Sequence, residues 1–187
     1  GSPDHDHSNI DSGLDLVDNI MADLIEMEIP LWVIWQAVES EAENLRIDGD
    51  PIGANWGPIH AFYYGENAEQ YFVTKQYYVF GQFTKFIKEG YVIIETGQSD
   101  VLAALDPDTN QLVIVAANYD SASTNYNFNL GGFDTVGSVA TPYRTSASEN
   151  LAQLSNISIS NNILSDTLPG KSVTTYVINS TAYTGTL

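Results

Sequence analysis

One apolar run, residues 30–39 (PLWVIWQAVE), stands alone between two helical stretches, and a single strand cannot make a sheet because its backbone groups would go unpaired. Its Trp, Val and Ile content and its abrupt polar end at Gln36 and Glu39 read as a buried strand opening into a site. Strands end this way at the C-terminal rim of α/β barrels. Ahead of the run, Leu14, Val17, Ile20, Met21, Leu24 and Ile25 recur every three or four residues. That spacing predicts an amphipathic helix over 12–28, with Asp11 or Ser12 as N-cap and acids in the first turn to suit the helix dipole. Behind the run come a long irregular segment, 40–57, and a short aromatic patch, 59–65. A second helix is predicted over 69–88, with an apolar stripe that includes Phe72, Tyr77, Phe80, Phe83 and Phe86, and with Gly90 as its terminator. Gly81 inside it costs about 1 kcal/mol relative to Ala, so close packing is expected there.

From Tyr91 the pattern changes to short β-branched segments at 91–94, 101–105, 111–118, 126–130, 135–142, 152–159 and 172–179. Turn clusters such as Gly131-Gly132 and Asn161-Asn162 separate them, which predicts an antiparallel β-sandwich and a boundary near Gly90. Either the lone strand joins that sandwich, or it belongs to a larger α/β domain whose other strands lie elsewhere. The second is the expectation.

A net charge of −18, from 24 acids against 6 bases, argues against nucleic acid and anionic membrane as partners, since nothing would neutralise phosphate. No stretch reaches the roughly 18 apolar residues of a membrane-spanning helix. Without cysteine there is no disulfide or thiolate-metal chemistry. Asn156 and Asn179 begin glycosylation sequons that would matter only in a eukaryotic secretory pathway.

The segments DSGLDLVDNIMADL, PLWVIWQAVE, NWGPI, YYVFGQFTKFIKEGYVII, TPYRTSASENLAQLS and LPGKSVTTYVI, in this order, resemble the C-terminal part of glycoside hydrolase family 30. The resemblance implies a fold of α/β plus all-β class. Residues 1–90 would be the last repeats of a (β/α)8 TIM barrel (helix seven, strand eight and helix eight), and residues 91–187 an antiparallel side β-sandwich. It implies a retaining, secreted endo-glycosidase that needs no cofactor and acts on a β-linked polysaccharide or oligosaccharide, β-1,6-galactan ahead of xylan. Retaining hydrolysis takes two carboxyl groups about 5 Å apart, and both matched positions lie upstream of Gly1. The expected partner is therefore the N-terminal portion of the same enzyme, as a missing segment or a second chain. The alternative is a non-catalytic carbohydrate-binding or structural sandwich module.

Four residues are candidates for substrate binding. Trp35 stacks on a sugar ring or bridges strand and helix; Trp32 is read as core. Gln36 and Glu39 suit sugar hydroxyls, Glu39 alternatively being a solvated loop carboxylate, and Trp56 lines a subsite or pins the loop. Asp4-His5-Asp6-His7 and Asp48-Gly49-Asp50 contain metal-ligand types, but neither has a fixed ligand geometry, so no metal is expected. Tyr143-Arg144 is a binding patch or, as preferred, a pair in which Arg144 bonds a neighbouring strand or loop.

Overall fold

A computed structural model of the chain describes residues 8–29, 31–40, 46–47, 50–51, 57–62 and 69–183. Helix α1 (Ile10–Ile25) begins at Asn9, whose side-chain oxygen accepts the Asp11 N–H at 2.9 Å, so the N-cap precedes the expected Asp11 or Ser12. Leu14, Val17, Ile20 and Met21 are buried, as their spacing predicts. Of the apolar run, only β1 (Val38–Ser40) enters a ladder. After a two-residue pair, β2 (Arg46–Ile47) with β3 (Asp50–Pro51), strand β4 (Ile59–Ala61) runs parallel to β1 and antiparallel to β5 (Tyr71–Val73). The run therefore does not join the C-terminal sheet.

The helix predicted over 69–88 is shorter and begins later, as α2 (Lys75–Thr84). Thr74 takes an extended backbone and its hydroxyl donates to the Pro58 carbonyl at 3.0 Å, which ties the preceding aromatics into β5. The expected stripe is accordingly split: Phe83 and Phe86 are buried, whereas Phe72 and Tyr77 are exposed. At Gly81 a methyl group would stand 2.5 Å from Leu151 Cδ1, the close neighbour anticipated there.

Nine strands follow: β6 (Val92–Ile94), β7 (Val101–Asp106), β8 (Gln111–Asn118), β9 (Thr124–Asn129), β10 (Val139–Thr145), β11 (Ala152–Gln153), β12 (Ile157–Ser158), β13 (Ile163–Leu168) and β14 (Ser172–Ile178). The larger sheet is antiparallel with order β11-β10-β14-β8-β7-β6, and β12 adds to β10; β9 and β13 pair as a separate two-stranded sheet. The segment expected at 135–142 moves to 139–145, and that at 152–159 divides in two. Strand β13 was not anticipated. The turn before it uses Asn161 and Asn162 at φ 53° and 58°, the positive values a tight hairpin turn requires.

Alternation along the central strands buries both faces of the larger sheet. Val113, Val115, Ala117 and Val173 pack with Val17, Met21, Val79 and Phe83 of the helices. Leu112, Ile114, Ala116, Tyr176 and Ile178 pack with Leu164 and Leu168 of β13. Helix pair, larger sheet and small sheet thus stack as three layers, with the side chains of neighbouring β residues pointing to opposite faces. The hydrophobic core runs across Gly90, so the change of pattern there marks a change of element type with the helices packed directly on the sheet.

Polar ties reinforce that contact. The buried Lys75 ammonium donates to Ser146 O (2.6 Å), Glu149 O (3.1 Å) and Asn150 Oδ1 (2.7 Å). Burial pulls Lys75 below the ordinary lysine value, with the Glu149 charge opposing. Arg144 pairs with Glu149 (Nε to Oε2, 2.7 Å), the loop bond expected of it. Fully buried Gln82 hydrogen-bonds Thr145 and Thr175.

Candidate functional site

The apolar run presents two unlike faces. Trp32 turns toward the helices: its indole N–H donates to Asp23 Oδ2 at 2.8 Å, and its ring lies 5.8 Å from that of Phe80, tilted by 52°. Leu31, Val33 and Trp35, which alternate with it, are 72%, 73% and 85% exposed. Residues 31–37 enter no ladder; Trp32 packs on the α1–α2 pair, and Leu31, Val33 and Trp35 stay exposed among the described residues. Trp32 has the packed environment foreseen for it, and Trp35 does not bridge strand and helix.

Just beyond Trp35 the chain turns into β1. The Gln36 side chain is exposed, and the Trp35–Gln36 peptide bond is cis. Glu39 is half-buried and its Oε2 accepts the backbone N–H of Gly57 at 2.7 Å, so this carboxylate holds the chain entering β4 rather than standing free in solvent. A Cβ at Gly57 would lie 2.6 Å from the Gln36 carbonyl oxygen, which is why glycine occupies that position. Trp35, Gln36 and Glu39 are therefore gathered at one end of the run, with Gly57 against them. Trp56 lies outside the described residues, as do Asp4, His5, Asp6, His7, Asp48 and Gly49, and no group of three or more metal-ligand side chains occurs among the described residues.

A second depression escaped the sequence reading. It has a volume of about 550 Å³ and opens between the free edges of β6 and β9, on the sheet face opposite the helices. Its signal in the sequence is the alternation Asn125-Tyr126-Asn127-Phe128-Asn129 along β9. The Tyr126 hydroxyl donates to Asp100 Oδ2 at 2.7 Å, and burial first, then that hydrogen bond, pushes the phenol well above its ordinary value, so it stays protonated.

No family model matches the chain. Over 147 residues, 76% of its length, it is 33% identical to glucuronoxylanase XynC of Bacillus subtilis strain 168, covering 34% of that protein. Over 127 residues it is 31% identical to an endo-β-1,6-galactanase of Hypocrea rufa, covering 68% of this chain and 23% of the other. Its fold superposes with a TM-score of 0.68 on the family 30 subfamily 8 xylanase Xyn30A of Clostridium acetobutylicum, at 27% identity over 92% of this chain and 40% of that one. The chain belongs to glycoside hydrolase family 30. It corresponds to a C-terminal portion of the family 30 enzymes and spans 23% to 35% of the length of the curated relatives it matches. Family 30 membership accounts for helices and a β-sandwich that share one core, since Xyn30A superposes on nearly the whole chain across both.

Proposed function

We propose that this chain forms the closing wall of a (β/α)8 barrel and the side sandwich of a secreted, retaining endo-glycosidase that cleaves a β-linked polysaccharide. In this reading residues 1–90 are barrel and residues 91–187 are sandwich. The observation that carries it is the two-faced run at 31–35. A barrel strand sends alternate side chains outward to the helix layer and inward to the barrel interior. On this reading Trp32 takes the outward role on α1 and α2, and Val33 and Trp35, exposed among the described residues, take the inward one.

On this reading Trp35 and Gln36 lie at the open end of the strand, where an indole face and a carboxamide suit a sugar ring and its hydroxyls. Glu39 acts mainly by fixing Gly57 at the entry to β4. The two carboxyl groups of retaining chemistry come from the N-terminal portion of the enzyme. One would protonate the leaving oxygen and later activate water, and the other would form the glycosyl-enzyme intermediate. The relatives support xylan and β-1,6-galactan as candidate substrates on equal terms, the glucuronoxylanases at 33% and 29% identity and the galactanase at 31%.

The test is complementation. The purified chain should release no reducing ends from xylan or β-1,6-galactan, and mixing it with the N-terminal portion of a family 30 xylanase should restore hydrolysis. Turnover by the chain alone would overturn the assignment of both carboxylates elsewhere.

A further inference from the structure

We draw no further inference here: the strongest candidate, the apolar gap between the free edges of β6 and β9 on the sheet face opposite the helices, carries none because nothing in the structure shows what covers it.

Discussion

The apolar run at 31–38 and the central strands β8 and β14 have similar side chains, and their environments differ. Along β8 and β14 every apolar residue meets a partner, from the helices on one face and from β9 and β13 on the other. Along the run Trp32 meets the helices, and Leu31, Val33 and Trp35 are exposed among the described residues. Period-two alternation gives each strand two faces, and whether both are buried depends on layers supplied from elsewhere in the fold. A sheet covered on both sides is a finished core, whereas residues 31–35 have cover on one side only among the described residues.

That contrast can be broken first at the centre of the sandwich. Tyr176 is fully buried and its hydroxyl donates to Asp166 Oδ2 at 2.8 Å. Tyr176→Ala should cost about 3–5 kcal/mol in urea unfolding, and a loss below about 1 kcal/mol would mean that the small sheet is not part of the cooperative core.

Next comes the tie between helix and sheet. Lys75→Met removes an ammonium from three acceptors and should destabilise by about 2–3 kcal/mol. An unchanged urea midpoint would show that α2 contributes little to holding the 146–150 loop.

The two tryptophans sharpen the comparison most directly. Trp32→Ala loses the Asp23 hydrogen bond and the Phe80 contact and should cost about 2 kcal/mol. Trp35→Ala should change the stability of the chain by less than about 0.5 kcal/mol, since the ring is exposed. Comparable losses from the two would mean that Trp35 is covered in solution.

The smallest effect should be in acid. Hydrogen bonding from Arg144, assisted by Ser146, holds the Glu149 carboxyl below its ordinary value of 4.5. A carboxyl so depressed contributes stability that is present above 4.5 and is lost as the pH falls through its folded value. Thermal melts across that acid range should therefore fall more steeply for the wild-type chain than for Glu149→Gln, by an amount equivalent to about 1 kcal/mol or less. Parallel curves would remove Glu149 from the acid response.

Some of this was legible in the amino acids. The spacing of Leu14, Val17, Ile20 and Met21 gave α1, and 111–118 matched β8 to the residue. Strand β13 was harder to see because its Ser165, Asp166 and Thr167 serve an outer face and a hydroxyl network, so the segment lacks a strong apolar signal. Residues 71–73 carry aromatics that fit a helical stripe equally well, and the bond from Thr74 to Pro58 decides for a strand. Of the candidate site, Trp35, Gln36 and Glu39 could be named from the polar end of the run. The engagement of Glu39 with Gly57 could not, because it joins residues eighteen apart in the chain.

The sequence by itself determined the periods, and through them which side chains alternate, where helices give way to strands, and the family to which the order of segments points. Only the tertiary structure decided which face of each strand is covered and which polar groups meet across the groove between β6 and β9. The physical reason is that periodicity is a local property of the chain. Burial and hydrogen bonding depend on what another segment, often far away in sequence, brings to the same place.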